Sequence, residues 1–223
     1  MLESNSSFVS SWSGGKDSAM AYYRALKLGM VPKKLLTMFE EDGEVSKSHA
    51  LPLNVVEAQA KRLGVPLLIK EASWNTYEGR FIEAMNECRA EGISHGIFGD
   101  IDIEDHLEWV KTTCEKSDIV SVHPLWEKPR RAIVGELLDA GFEAWIVVVN
   151  TKMMPAKYVG ARFTRELVEE LEAAGIDSCG ESGEFHTVVV DGPIFTERIP
   201  VEIGKPFIRG DYIFAPVLLD ESN

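Results

Sequence analysis

From Ser7 to Trp126 the chain repeats one alternation, and that alternation restricts its fold more than any other feature. A short apolar run is followed by a turn and then by about 10–15 residues whose apolar positions fall three and four apart. The runs SFVSSW, KKLLTMF, VPLLIKE, HGIFGD and DIVSVHPLW read as five strands. The first helix, DSAMAYYRALKLG, closes at Gly29 in the C-cap position. The second, NVVEAQAKRLG, has Asn54 as its expected N-cap, Val56, Ala60 and Leu63 on one face, and Gly64 at its end. A longer helix carries Tyr77, Phe81, Met85 and Cys88 at spacings of four, four and three. A further helix over 104–116 turns Leu107, Val110 and Cys114 inward. Strands joined by helices cannot be hairpins. They pair in parallel through right-handed crossovers, so the expected class is α/β: a doubly wound, mostly parallel, Rossmann-like sheet.

The pattern changes after Trp126. EKPRR reads as a linker, a helix over Arg130–Ala140 leads into the apolar strand AWIVVVN, and a loop rich in Lys and Met follows. A helix at 164–174 and a β-rich end complete the chain. The expected organisation is a nucleotide-binding domain over 1–127 and a smaller C-terminal α+β domain over 128–223, the latter for substrate or acceptor.

Composition enters as a filter on partners. The net charge of −13, from 23 basic and 36 acidic residues, argues against a broad nucleic-acid surface but does not exclude one basic pocket inside an acidic envelope. No run of about 18 apolar residues occurs, so no membrane span or membrane partner is expected. MLESNSSFVSS lacks the basic and apolar regions of a signal peptide. Three cysteines with no CxxC fit a reducing cytoplasm rather than a disulfide framework or a thiolate metal site. Cys88 and Cys114 lie on apolar helix faces and read as small hydrophobes, whereas Cys179 lies in a turn.

The chemistry-bearing stretch is SWSGGKDSAM, residues 11–20, directly after the first strand. Ligands of doubly wound sheets sit outside the carboxyl ends of the strands. Gly14 and Gly15 allow the backbone to approach a ligand and turn its N–H groups inward. The following helix offers its positive end to an anion, Lys16 adds a point charge, and Ser13 and Ser18 add hydroxyls. A plain strand-to-helix turn would also carry glycine here. The spacing is not that of the GxxxxGK[ST] P-loop, because Lys16 follows the glycine pair at once.

The full string SGGKDS resembles the PP-loop of the ATP pyrophosphatases (adenine nucleotide alpha hydrolase-like proteins), which split ATP between its α and β phosphates. HALPLNVVEAQAKRLGVPLL, GIFGDIDIEDHLEWVKTTC, VHPLW and CGESGEFHTVVVDGPIF extend the likeness. With the loop they resemble, in order and spacing, the diphthine–ammonia ligase-like family over most of Ser11–Phe195. This resemblance implies an AMP- and pyrophosphate-forming amide ligase. A carboxylate, most concretely that of diphthine on elongation factor 2, is adenylated by ATP and then attacked by ammonia.

Position by position, the resemblance places ATP on Ser13, Gly14, Gly15, Lys16, Asp17 and Ser18, with Lys16 also catalytic. Asp100, in FGD, is the expected holder of Mg²⁺, an ion typically bound by one or two carboxylates plus substrate oxygens; a turn or capping aspartate is the plainer reading. His106 and Trp109, three apart on one helix, are expected to point together toward substrate, with simple packing the alternative for Trp109. Trp126 follows the fifth strand and is a further substrate-binding candidate, or part of a hinge. In CGESGEFHT, Glu181 and Glu184 are expected to recruit ammonium or accept its proton, since only neutral ammonia attacks an acyl-adenylate. His186 is expected to be catalytic, and Thr187 to help position the acceptor. Alternatives left open are a different acceptor, RNA included, and a non-catalytic ATP-binding sensor.

Overall fold

The structure, a computed structural model, describes residues 5–220. The chain forms two compact units. The first comprises the described segment ending at Ser13, residues 17–47 and residues 64–128; the second comprises Gly14–Lys16, Ser48–Leu63 and the described residues from Pro129 onward.

The first unit is built on β1 (Ser7–Ser11), β2 (Val31–Phe39), β3 (Leu67–Glu71), β4 (His95–Ile97) and β5 (Val120–Val122). They form one sheet in the order β3-β2-β1-β4-β5 with every pairing parallel. This is the expected α/β class. The order reverses between β1 and β4, the switch point at which such sheets leave a crevice for ligands. Helix α1 (Lys16–Lys27) starts from β1 and ends as the sequence implies. Gly29 takes φ +78°, and the N–H groups of Gly29 and Met30 donate back to Leu26 and Ala25, a Schellman closure. Helices α3 (Tyr77–Ala90) and α4 (Glu104–Glu115) pack on each other, α3 also on β2 and β3, and α4 also on β5. Phe81, Met85, Cys88, Val110 and Cys114 meet Val9 and Leu36 in this core. Burial pushes the Cys88 thiol up to about 11 and that of Cys114, with help from the Asp100 charge, to about 12. Both are small hydrophobes, as their helix faces imply.

The apolar runs outlast the strands. HGIFGD pairs only over His95–Ile97 and DIVSVHPLW only over Val120–Val122. Phe98 and Leu125 stay buried in the turns that follow.

In the second unit, β6 (Glu143–Asn150) lies between β7 (Phe185–Asp191) and β10 (Tyr212–Phe214), and β9 (Phe207–Arg209) forms the far edge, all antiparallel. β8 (Val201–Ile203) and β11 (Val217–Leu219) make a separate pair. Its helices are α2 (Leu53–Leu63), α5 (Arg130–Asp139) and α6 (Arg165–Ala173). The start of α2 differs from expectation. The helix begins at Leu53, and the N–H groups of Val55 and Val56 both donate to the Pro52 carbonyl, so Asn54 lies inside the first turn rather than capping it. Among the described residues no helix is long and apolar enough to cross a membrane.

Candidate active site

The glycine-lysine bend is held by hydrogen bonds within the second unit. The Gly14 carbonyl accepts from the Val189 N–H at 2.8 Å and from Gln59 Nε2 at 3.1 Å. Gln59, fully buried on α2, spends its second amide hydrogen on the Val189 carbonyl at 2.8 Å. The Lys16 N–H donates to Thr187 Oγ1 at 3.0 Å. One loop N–H is thus committed to the protein, and the Thr187 hydroxyl, having accepted, keeps its own hydrogen to donate.

The two glycines are obligatory for different reasons. Gly14 sits at φ +79°, and a side chain there would also strike Leu51 and Gln59. At Gly15 the obstacle is proximity: a methyl group would fall on His49 Cε1 and within 3.0 Å of the Thr187 carbonyl oxygen. That oxygen is 2.8 Å from His49 Nδ1, and since a carbonyl only accepts, Nδ1 carries the hydrogen. The His49 ring then lies 4.7 Å from that of His186. Burial first, and then the positive charges of His49 and Lys16, push His186 down to about 3, so it is a neutral imidazole at physiological pH. The Lys16 ammonium lies over the Phe185 ring at 5.8 Å, a desolvated position for a cation.

The turn before β7 is organised by Asp177. Its carboxylate accepts from the N–H groups of Cys179 and Glu181 and from Arg130 Nη1 at 2.6 Å. Gly180 and Gly183 supply left-handed backbone at φ +72° and +88°. Glu184 is buried, with Oε2 accepting from the Ser182 N–H at 3.0 Å, while Glu181 is partly exposed. Cys179 is fully buried, so its place in a turn confers no exposure.

The remaining candidates lie in the first unit. Ser13 Oγ donates to Ser18 Oγ at 3.1 Å, and Asp17 is in the first turn of α1. Gly99 abuts that turn so closely that a methyl group would lie 3.0–3.1 Å from the backbone of Asp17 and Ser18. Asp100 follows, three residues beyond β4 rather than at its end. Each of its oxygens faces an imidazole: Oδ2 is 3.3 Å from His123 Nδ1, and Oδ1 is 4.0 Å from His106 Nδ1. The Asp100 charge adds to burial in holding Tyr77 up at about 12.

His106 and Trp109 diverge in surroundings although they share a helix. His106 is 63% exposed, whereas Trp109 packs on Phe81 at 5.1 Å and Tyr77 at 5.7 Å. Trp126 sets its ring edge against His123 at 6.5 Å, in a turn tied to α1 by Arg24 Nη1 donating to the Pro124 carbonyl.

A magnesium ion fits the donor chemistry at Asp100, whose carboxylate offers hard-oxygen ligands beyond β4 in the parallel sheet. His49, Gln59, Gly99 and His123 were not among the residues singled out from sequence. All four stood inside the stretches that carry the family resemblance, and that was their one available signal.

Residues 7–121 match the family model described as the diphthamide synthase N-terminal domain, and residues 129–214 match its C-terminal counterpart. The chain is similar to a diphthine–ammonia ligase of Danio rerio, at 24% identity over 233 residues, covering 92% of this chain and 90% of that protein. It is likewise similar to the Homo sapiens diphthine–ammonia ligase, at 24% identity over 234 residues, covering 92% and 86%. Among solved structures it is similar to a "predicted subunit of tRNA methyltransferase" from Methanocaldococcus jannaschii, at 15% identity and a TM-score of 0.42, covering 86% of this chain and all of that one.

Proposed function

The chain belongs to the diphthamide synthase family, which makes it an ATP-dependent carbon–nitrogen ligase, and from that premise we propose an AMP-forming amidation of diphthine on elongation factor 2. In the first step a carboxylate oxygen of the acceptor attacks the α-phosphorus of ATP and pyrophosphate leaves. In the second, ammonia attacks the acyl carbon and AMP leaves.

One observation carries this reading. The Lys16 N–H donates to the Thr187 hydroxyl, so Gly14–Lys16 and the segment GESGEFHT are held in one hydrogen-bonded frame within the second unit. Chemistry that joins a nucleotide step to an acceptor step needs the two sets of groups at fixed separation, because positioning supplies much of the rate.

Ser13, Gly14, Gly15, Asp17 and Ser18 line the phosphate cradle, and Lys16 balances the charge that builds on the departing pyrophosphate. Mg²⁺, held by Asp100, would neutralise phosphate charge. The Thr187 hydroxyl hydrogen is a donor for a substrate oxygen. His186, kept neutral, orients a substrate as a hydrogen-bonding group rather than as a charge. Glu184, with Glu181, takes the proton from ammonium. His106 and Trp126 contact the acceptor, and Trp109 braces that surface through Phe81 and Tyr77.

The test follows AMP from α-labelled ATP with magnesium and ammonium, with and without elongation factor 2 carrying diphthine. AMP that requires both ammonium and the factor is the expected result. ATP binding with no AMP under those conditions would remove the diphthine acceptor from this reading.

A further inference from the structure

His123 belongs to none of the roles above, yet its setting in the first unit is specific. Its side chain is 8% exposed, and neither ring nitrogen makes a hydrogen bond. A buried polar group without a partner costs free energy, so native structures rarely keep one without use. The ring is not free to turn away. It stacks on Phe98 at 5.4 Å and 25° and meets the edge of Trp126 at 72°. The Phe98 N–H is bonded to the Val122 carbonyl, and the Trp126 N–H to that of His123 itself, so both neighbours are fixed to the backbone. In this orientation Nδ1 faces Asp100 Oδ2 at 3.3 Å, slightly longer than the usual N–H···O distance.

We infer that His123 is the positioning residue for the Asp100 carboxylate: its Nδ1–H engages Oδ2 and leaves Oδ1 to bind a divalent cation. The inference rests on reading Asp100 as the magnesium holder. The competing account makes His123 a flat spacer between Phe98 and Trp126, in which case a phenyl ring would serve equally. Groups that orient a metal-binding carboxylate from behind typically change metal affinity by about 10- to 100-fold when removed.

The experiment measures Mn²⁺ binding by the electron paramagnetic resonance of the free ion, on the full chain with a non-hydrolysable ATP analogue. His123→Phe keeps the stacking and is expected to weaken Mn²⁺ about 10-fold or more, with thermal unfolding and metal-free binding of the analogue unchanged. His123→Asn, whose amide nitrogen reaches the place of Nδ1, is expected to bind within about 3-fold of the parent, while His123→Gln, which reaches the place of Nε2, resembles Phe. The Asn–Gln contrast decides the matter even where the Phe variant does not fold.

Parental Mn²⁺ affinity in the Phe variant, or equal loss in Asn and Gln, overturns the inference. Asp100→Asn separates the two layers. If it binds Mn²⁺ normally, the reading of Asp100 itself fails. If it loses Mn²⁺ while His123→Phe does not, only the role of His123 falls.

Discussion

The glycine-lysine bend and the Asp100 corner solve opposite problems. Around Gly14–Lys16 the polar groups are spent on the protein: a carbonyl takes two donors, an N–H takes a hydroxyl, and Gln59 uses both amide hydrogens. Around Asp100, a carboxylate faces two imidazoles, and the buried one has no other polar partner for its ring nitrogens. The bend is fixed before any ligand arrives, whereas the corner retains binding capacity. A loop that must present charge to a leaving group benefits from costing no reorganisation at the moment of reaction.

The largest test of that contrast is Lys16→Ala. AMP formation is expected to fall about 1,000-fold, in the range of losing one charge-stabilising group, with the fold retained by circular dichroism. Near-normal AMP formation would mean the fixed bend is not where the charge is met. Next comes Gly15→Ala, which forces a methyl group onto His49 and should cost about 1–3 kcal/mol in chemical denaturation. Adding His49→Ala should return part of that loss, since the clash is then relieved; no recovery would place the strain elsewhere.

Thr187→Val keeps shape but removes the hydroxyl that accepts from the Lys16 N–H, at an expected cost of about 1–2 kcal/mol by urea titration. His186 acts through pH rather than through a lost contact. Its pKa is about 3 in the folded chain and about 6.5 when unfolded, so below pH 6.5 only the unfolded state gains the proton. Stability therefore falls as pH drops from about 6.5 toward 3, by at most about 1.4 kcal/mol per unit. His186→Phe should flatten that slope, and an unchanged slope would show that His186 is not held neutral. The least change is expected from His106→Ala, within about 0.5 kcal/mol, because the ring is mostly in solvent.

Much of the first unit was legible because strand and helix periods act over a few residues. Gly29 could be read as a helix end since only a left-handed residue closes a Schellman turn there. The strand ends were not legible. Phe98 and Leu125 are as buried after the strands as within them, and burial alone does not separate a ladder from the turn beyond it. Pro52 displaced Asn54 because a carbonyl, invisible to side-chain rules, took the first helical donors.

The glycine-lysine bend was legible as a string of residue types, but its fastening was not. His49 and Gln59 reach partners 138 and 130 residues away, and contacts at that distance leave no period in the sequence. Nor does the spacing of Gly14–Lys16 reveal that these three residues group with the second unit.

That fastening also sets an order of events on the ribosome. The hydroxyl that receives the Lys16 N–H is added 171 residues after Lys16 itself. At typical elongation rates this is a wait of roughly 10–35 s. Through that interval the nascent chain carries the whole SGGKDS string without the strand that shapes it. A chain cut short before β7 would therefore have the motif and lack the strand that holds it.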